Sequence, residues 1–261
     1  MRPSNDTETM ELADSAADAW IAALAMFSMT KPSGFYNKGR HGTTELISGT
    51  VMPALNGVIS TARKADASEI ALFADSPKLT SVPWSIQVRG DRLDPQVVAT
   101  AAGHGLDERS TLPFMIKRLT PEDGRSPESG PRVRQVSCDE AALYRMMLTA
   151  GFELPPASFT AFGTPSVIEH PLMRSYLVEH DGVPVATSFG ILVNHHVGVF
   201  NVAVPPLLRL RGHGRAATAA VLRSAYARGA RTAFLHAGPM GRPLFTSMGF
   251  TVVENWTIFT A

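Results

Sequence analysis

The chain has 261 residues, of which 44% are hydrophobic and 18% are charged, and its formal net charge is +1. This composition excludes a largely disordered chain, and the balanced charge gives no reason to expect binding to nucleic acid or to a membrane. The single cysteine, Cys138, excludes an internal disulfide, and no Cys/His spacing indicates a metal site. The N-terminal segment is acidic rather than basic, and the apolar run at residues 19–29 is shorter than the roughly 20 residues that span a bilayer. We therefore expect a cytoplasmic protein without a signal peptide.

Residues 121–132 form the clearest break in the pattern. Their sequence, PEDGRSPESGPR, contains no large apolar side chain and is rich in proline and charge. Such a composition disfavours regular structure and keeps a segment solvated. We therefore predict an N-terminal domain over residues 1–120, a linker over 121–132 and a C-terminal domain over 133–261.

The N-terminal half predicts a mixture of helices and strands. Hydrophobic patterning, proline positions and glycine stops predict these elements in chain order: a helix over 11–29, two short strands within 43–60, a strand over 85–89, a helix over 95–104 and a strand over 112–119.

The C-terminal half has a clearer pattern. Strands are predicted over 133–136, 175–179, 183–193, 197–204, 233–237 and 256–259, and helices over 138–150, 214–227 and 242–248. Asp181 and Gly182 lie between two apolar runs and predict a tight hairpin. The order of the elements predicts a mixed sheet covered by helices, in the α+β class.

A glycine-containing segment, residues 204–214 (VPPLLRLRGHG), links an apolar strand to a helix. Gly212 and Gly214 allow close approach of a ligand to the backbone, and the free N–H groups at a helix start favour an anion. Charge supports this interpretation, because residues 182–253 contain no Asp or Glu. They carry seven arginines: Arg209, Arg211, Arg215, Arg223, Arg228, Arg231 and Arg242. We predict an anion site over residues 209–215, and solvated positions for Arg223 and Arg228.

Two nucleotide-binding motifs do not fit this segment. Gly212, Gly214 and Ala217 match G-x-G-x-x-A, but the strand does not precede the glycines directly and no acid follows about 20 residues later. A phosphate-binding P-loop requires Lys-Ser/Thr after the glycines, and none is present. Both NAD and ATP are therefore poor candidates.

The segment resembles the signature of the GNAT superfamily, the acyl-CoA-dependent N-acetyltransferases. The pattern Q/R-x-x-G-x-G/A is met by Arg209, Gly212 and Gly214, and residues 244–250 (LFTSMGF) follow a second family pattern, L-Y-x-x-x-G-F, except for its tyrosine. The resemblance covers residues 133–261. Residues 95–115 echo the order of residues 242–259, which suggests a degenerate second copy of the fold, as in tandem GNAT proteins. An unrelated α+β cap is the alternative.

The resemblance implies that acyl-CoA binds between the fourth and fifth strands of this domain and that an amine attacks it directly, with no covalent intermediate. The implied cofactor-binding residues are Val202, Ala203, Val204, Arg209, Leu210, Arg211, Gly212, His213, Gly214, Arg215 and Phe245. No metal is implied. Partners would be a small-molecule or peptide amine, and a homodimer if the N-terminal half forms an interface rather than part of the acceptor cleft.

The catalytic residues depart from the family pattern. Phe245 replaces the tyrosine acid, and the predicted fourth strand lacks the usual glutamate, with Asn201 as its only polar side chain. His236 is the best base on chemical grounds, because an imidazole titrates near neutral pH; Glu169 and Glu179 are further candidates. The acceptor pocket is expected around Phe159, Phe162 and Tyr176.

Two other functions remain open at this point. The missing tyrosine and glutamate would fit a non-catalytic acyl-CoA-binding module with a regulatory or structural role. A nucleotide-binding regulator that uses the same arginines is the weaker alternative.

Overall fold

A computed structural model describes residues 5–126 and 129–261. The helices are α1 (Asn5–Ser28), α2 (Ala67–Ala74), α3 (Pro95–Gly103), α4 (Ala141–Phe152), α5 (Pro165–Ile168), α6 (His213–Ala227) and α7 (Arg242–Ser247). The strands are β1 (Phe35–Lys38), β2 (Thr43–Ile47), β3 (Asn56–Ser60), β4 (Ser85–Arg89), β5 (Glu108–Arg118), β6 (Arg132–Gln135), β7 (Met173–His180), β8 (Val183–Val193), β9 (His196–Ala203), β10 (Thr232–His236) and β11 (Thr251–Thr260).

The chain forms two compact units that interleave along the sequence. Unit 1 consists of Met1–Ile116, His236–Gly238 and Thr251–Ala261, and unit 2 consists of Lys117–Leu235 and Pro239–Phe250. The predicted C-terminal domain, residues 133–261, therefore contributes two segments to unit 1. The predicted linker includes Pro127 and Glu128, which lie outside the described residues.

Unit 1 contains a mixed sheet in the order β1-β2-β3-β4-β11-β5. Strands β3 and β4 are parallel, and the other neighbours are antiparallel. Helices α2 and α3 begin at Asp66 and Asp94, whose carboxylates each accept a backbone N–H in the first turn at 2.9 Å. Both helices pack on the sheet through a buried apolar cluster that includes Ile70, Val97 and Phe259.

The last strand explains why unit 1 reaches into the C-terminal segment. In β11, Trp256 pairs with Arg89 on β4 and with Leu112 on β5, so the strand lies between two strands from the first half of the chain. Trp256 is fully buried. The order of elements along a sequence does not specify which edge a strand occupies, so this placement could not be predicted from periodicity.

Unit 2 contains the sheet β6-β7-β8-β9-β10. Its strands are antiparallel except β9 and β10, which are parallel. The predicted hairpin between β7 and β8 is confirmed, with Asp181 and Gly182 at φ 51° and 77°. Helix α6 packs on this sheet through Ala217, which contacts a buried cluster on β7 and β8.

The described part of the predicted linker is folded within unit 2. Pro121–Gly124 forms a single 3₁₀ turn, and the carboxylate of Asp123 lies 2.5 Å from the Lys117 ammonium. A Cβ added at Gly124 would lie 2.6 Å from the ring of Tyr226, so this backbone packs closely on α6. Local composition predicted a solvated spacer, whereas contacts distant in sequence hold the segment in place.

Most predicted elements match the structure, and the mixed α+β class is confirmed. Strand β1 and helix α2 were not predicted. The predicted helix over 138–150 is a 3₁₀ turn at Cys138–Glu140 followed by α4. Among the described residues, none of the helices combines the length and apolar character needed to cross a membrane.

Candidate functional site

The C-terminal end of β9 carries a bulge at Asn201. The register between β8 and β9 shifts between Thr187 and Phe189, and Asn201 takes a left-handed conformation with φ 52°. The hydroxyl of Thr187 donates to the Asn201 carbonyl at 2.9 Å. Asparagine tolerates this conformation better than most other residues with a Cβ. The polar residue noted in the sequence therefore also allows the backbone of β9 to form the bulge.

Strands β9 and β10, the fourth and fifth of unit 2, pair over only part of their length. Their parallel register runs from Thr232 opposite His196 to Phe234 opposite Gly198. Strand β9 continues to Ala203, whereas its pairing with β10 among the described residues ends at Gly198. The bulged end of β9, with Val202 and Ala203, therefore has an edge to which the amide groups of a ligand could hydrogen-bond.

The loop between β9 and α6 contains two left-handed residues. Pro206–Leu208 forms a 3₁₀ turn, after which Leu210 has φ 62° and Gly212 has φ 83°. Leu210 is fully exposed, so no burial of its side chain offsets the unfavourable conformation. Strained backbone of this kind is concentrated at ligand-binding loops, and Gly212 immediately precedes the first residue of α6.

Arg209 was predicted to bind the cofactor, but its guanidinium group hydrogen-bonds to other residues of the chain. Its guanidinium donates to the Val204 carbonyl at 3.1 Å, to the Gly151 carbonyl at 3.0 Å and to the Glu153 carboxylate at 3.0 Å. These contacts tie the end of α4 to the end of β9. The structure therefore gives Arg209 a role in shaping the loop, which its position in the signature did not reveal.

The other two arginines of the predicted anion site, Arg211 and Arg215, differ in whether the protein already binds their guanidinium groups. Arg215 donates to the Ser247 hydroxyl at 2.6 Å and thereby links α6 to α7. Arg211 is exposed and makes no hydrogen bond or ion pair with another described residue. Of the three, Arg211 is the one whose guanidinium is available to an anion.

Helix α7 packs closely against the start of α6. A Cβ at Gly214 would lie 3.1 Å from the Leu244 side chain and 3.6 Å from that of Val204, so a larger residue there would require Leu244 to shift by a few tenths of an ångström. Phe245 is buried and its ring meets Phe250 edge-on at 5.9 Å. A phenylalanine ring has no proton to give, so this position cannot supply the acid.

His236 is the last residue of β10 and falls in unit 1. Its ring stacks on Trp20 at 4.3 Å and meets Phe114 and Trp256 at 5.0 and 5.1 Å. The Nε2 atom is buried and has no hydrogen-bond partner among the described residues. Burial lowers the pKa of His236 to about 3, so the imidazole is neutral at physiological pH and is a poor proton acceptor there.

The remaining candidates are structural residues in this conformation. Phe159, Phe162 and Tyr176 are buried in unit 2, and the acceptor pocket expected around them stays a prediction. The carboxylate of Glu179 is paired with arginines, and that of Glu169 accepts from the Cys138 thiol at 3.2 Å, a hydrogen bond that raises the pKa of the thiol.

Two residues near the site were missed by sequence reasoning. Tyr144 on α4 is fully buried, donates to the Ser188 carbonyl at 3.3 Å, and lies beside Ser175 and Asn201; burial raises its pKa. Gly151, near the end of α4, leaves room for Ala203 at the end of β9, since a Cβ there would lie 2.7 Å from the Ala203 Cβ. In the sequence, nothing marks Tyr144 as a site residue, and the only indication of close packing at position 151 is that the residue is a glycine.

A search of residues 5–126 and 129–261 finds no group of three or more His, Cys, Asp or Glu side chains that could hold a metal ion.

Comparison with solved structures identifies the architecture. The chain superposes on a GCN5-related N-acetyltransferase from Kribbella flavida with a TM-score of 0.67 and 18% identity, over 95% of each chain. A protein from Novosphingobium aromaticivorans described as a GNAT-family acetyltransferase gives a TM-score of 0.54 and 17% identity, over 85% of this chain and 88% of that chain. This chain has the GNAT fold.

The similarity to solved structures is detected by comparison of folds and not by comparison of sequences. A functionally unknown protein from Staphylococcus epidermidis is also similar, with a TM-score of 0.64 and 14% identity, over 89% of this chain and 96% of that chain. No protein-family model and no curated protein matches the sequence. The similarity covers nearly the whole chain, including the N-terminal half, where the phosphate motif is absent.

Proposed function

We propose that this GNAT-fold chain is an N-acyltransferase that moves an acetyl or another short acyl group from acyl-CoA to an amine. The observation that carries the proposal is the loop before α6, in which Leu210 and Gly212 are both left-handed and Arg211 is unpaired among the described residues. This loop presents the start of a 15-residue helix, whose first N–H groups have no partners within the helix. A diphosphate is a suitable ligand for such groups.

The same loop would hold CoA in three parts. The N–H groups of residues 210–215 would bind the diphosphate, with Arg211 as the mobile counter-charge. The pantetheine amides would pair with the edge of β9 at Val202, Ala203 and Val204. Arg209 and Arg215 would act through the backbone they hold, and Phe245 would pack beside the bound arm.

The chemical step would be direct attack in a ternary complex. The amine nitrogen forms a bond to the thioester carbonyl carbon, and the C–S bond then breaks to release the CoA thiolate. A backbone N–H at the β9 bulge would stabilise the oxyanion. Before the attack, the substrate ammonium would lose a proton to a water held by Asn201 and become the neutral amine, because His236 is too weak a base at neutral pH. A thiol has a pKa of about 8–9, so water can protonate the thiolate in place of the missing tyrosine.

A non-catalytic acyl-CoA-binding module is the second candidate. Two observations favour it: Phe245 has no acid group, and the pKa of His236 is about 3. The two candidates share the binding loop and differ in turnover, so release of free CoA thiol from acetyl-CoA in the presence of a panel of amines separates them.

The N-terminal half and the cellular setting complete the proposal. We propose a tandem arrangement of two GNAT-like halves, with a degenerate first half over residues 1–120 and a cofactor-binding half over 133–261, whose last strand belongs to unit 1. The enzyme would act in the cytoplasm on a small-molecule or peptide amine, and would use no metal. The first half would complete the acceptor cleft or a homodimer interface.

The decisive experiment is calorimetric titration of acetyl-CoA into the wild type and two glutamate variants. Gly212→Glu places a negative charge at the start of α6, and Gly229→Glu places the same charge beyond its other end, at a residue with a similar φ of 95°. A Cβ at either glycine meets no atom within 4 Å. We expect Gly212→Glu to weaken binding at least tenfold and Gly229→Glu to leave it unchanged.

Each outcome of this titration has a clear consequence. Equal binding by the wild type and both variants would place CoA elsewhere and contradict the loop assignment. No binding by the wild type would remove the acyltransferase proposal altogether.

A further inference from the structure

A narrow groove lies in unit 2 between the C-terminal half of α6 and strands β7, β8 and β9. Its polar wall is formed by Arg174 and Tyr176 on β7 and by Ser224 and Arg228 at the end of α6, and the rest of its lining is apolar. Ser224 lies about 16 Å along the helix from His213, the first residue of α6. The groove is therefore separate from the loop before α6, and none of the roles proposed above uses it.

The groove carries positive charge without a carboxylate. Arg174 and Arg228 are half-buried, and so is Arg223, which directly precedes Ser224. Arg174 donates to the side-chain oxygen of Gln135, and Arg228 donates to a backbone carbonyl, so both acceptors are neutral. Arg223 makes no hydrogen bond or ion pair with another described residue. No Asp or Glu belongs to the lining formed by the described residues.

The three guanidinium groups lie close enough to one another to interact. Burial raises the pKa of Tyr176, which is only 7% exposed. A hydrogen bond with Ser224 and the charges of all three arginines act in the opposite direction, so the three charges surround this hydroxyl. Burial lowers the pKa of Arg228, and the neighbouring charge of Arg174 lowers it further. Like charges held together in partly buried positions destabilise one another, and an anion between them relieves the repulsion.

Other partly buried arginines of this chain have their counter-charge within the protein. Arg89, Arg134 and Arg209 each have a carboxylate oxygen within 3.0 Å. The C-terminal end of α6 contributes about half a negative charge, which offsets only a small part of three guanidinium charges. The groove therefore favours an anionic ligand over a neutral or cationic one.

We propose that this groove is a binding site for a phosphate dianion, held by three arginines (Arg174, Arg223 and Arg228) and by the hydroxyls of Tyr176 and Ser224. A phosphate group offers enough charge and enough acceptor oxygens for three guanidinium groups, whereas a carboxylate matches only one. The groove encloses about 10 Å³, which is roughly the space of one water molecule, so the phosphate lies at its mouth. Any organic part of the ligand remains in solvent. The dianion is either free phosphate or the phosphate of a small phosphorylated metabolite.

The test is calorimetry with inorganic phosphate and phenyl phosphate as ligands, and with acetate as the monoanion for comparison. Arg174→Gln/Arg228→Gln removes two charges of the groove. Arg125→Gln/Arg132→Gln is the matched control, because it removes the same charge from unit 2 at side chains that are 74% and 75% exposed. Arg223→Glu is the second groove variant, and it reverses a charge that has no partner among the described residues.

We expect the wild type and the control to bind phosphate at least tenfold more tightly than acetate, and both groove variants to lose at least tenfold in phosphate affinity. Tighter binding of phenyl phosphate than of inorganic phosphate would identify a phosphorylated metabolite as the ligand, and equal or weaker binding would identify free phosphate. The proposal is overturned if the wild type does not prefer phosphate to acetate, or if the groove variants match the control. If the double variant does not fold, Arg223→Glu alone decides.

A variant of the loop before α6 separates this groove from the proposed cofactor site. Phosphate binding that persists in Gly212→Glu and is lost in Arg223→Glu places the anion in the groove. The reverse pattern places it at the loop and overturns the proposal. Acetyl-CoA binding should be unchanged in both groove variants, so failure of the proposed function leaves this test intact.

Discussion

The guanidinium of Arg209 lies 3.0 Å from the carboxylate of Glu153 and, with the same nitrogen, donates to the Gly151 carbonyl. Glu153 is itself left-handed, with φ 57°, where α4 ends. An arginine of the glycine motif thus fixes a helix end more than fifty residues earlier in the chain. The contact shapes the end of β9 before any ligand arrives.

Removal of this arginine should affect the loop more than removal of its acidic partner. We expect Arg209→Ala to weaken acetyl-CoA binding about tenfold and to destabilise the fold by about 1–3 kcal/mol, since two backbone carbonyls lose their donor. Glu153→Gln is the matched comparison, because it removes only a half-exposed ion pair that contributes less than about 1 kcal/mol. Calorimetry and urea unfolding measure both effects. Equal losses in the two variants would show that the ion pair, not the carbonyl contacts, holds the loop.

Gly151 should be intolerant of even one methyl group. A Cβ there would lie 2.7 Å from the Ala203 Cβ and 2.9 Å from the Val204 nitrogen, so Gly151→Ala should cost about 1–3 kcal/mol and displace the end of β9. Gly103→Ala is the control, since Gly103 is also helical and a Cβ there meets no atom within 4 Å. That variant should be neutral or stabilising by up to about 1 kcal/mol. Urea unfolding decides, and a neutral Gly151→Ala would mean that α4 can move away from β9.

The contrast between these arginines and glycines shows what the sequence could predict. The hairpin at Asp181 and Gly182, the start of α6 and the glycine-containing loop before it depend on neighbouring residues, and each was predicted from local pattern. The acceptors of Arg209 lie on α4, and no local pattern identifies them. The position of the loop before α6 was therefore predicted from the sequence, while the contacts of each arginine were visible only in the structure.

The positions of β11 and His236 likewise could not be predicted from local sequence, because they depend on residues far apart along the chain. Periodicity predicted both as parts of strands, but the pairing of Trp256 with Arg89 and the stacking of His236 on Trp20 join residues more than 150 positions apart. The chemical identity of His236 suggested a base, and its burial among aromatic rings removes that function at neutral pH. Burial of this kind depends on tertiary packing, which a single sequence does not reveal.

His236 should make the fold sensitive to acid. Its pKa is about 3 in the folded chain, against 6.5 for an unperturbed histidine. As the pH falls below 6.5 the unfolded chain binds a proton that the folded chain does not, so this stability is complete above pH 6.5 and is lost toward pH 3. The loss should reach about 3 kcal/mol by pH 4. In His236→Phe, which keeps an aromatic ring, this part of the pH dependence should disappear. Urea unfolding followed by tryptophan fluorescence between pH 4 and 8 measures it, and parallel curves for the two proteins would contradict the assignment.

Arg89 should be the most sensitive charged residue of unit 1. Its side chain is 4% exposed and lies 2.8 Å from Glu254 on β11 and 2.8 Å from Asp14 on α1, so Arg89→Met leaves two carboxylates without their buried partner. We expect a loss of about 3 kcal/mol, because an unpaired, partly buried charge is costly. Arg63→Met is the matched control: Arg63 pairs with the same Asp14 at 2.6 Å, but its side chain is 41% exposed, so water screens the pair and the loss of stability should be clearly smaller. Urea unfolding of both variants measures the difference. Equal losses would show that exposure does not set the energy of this network.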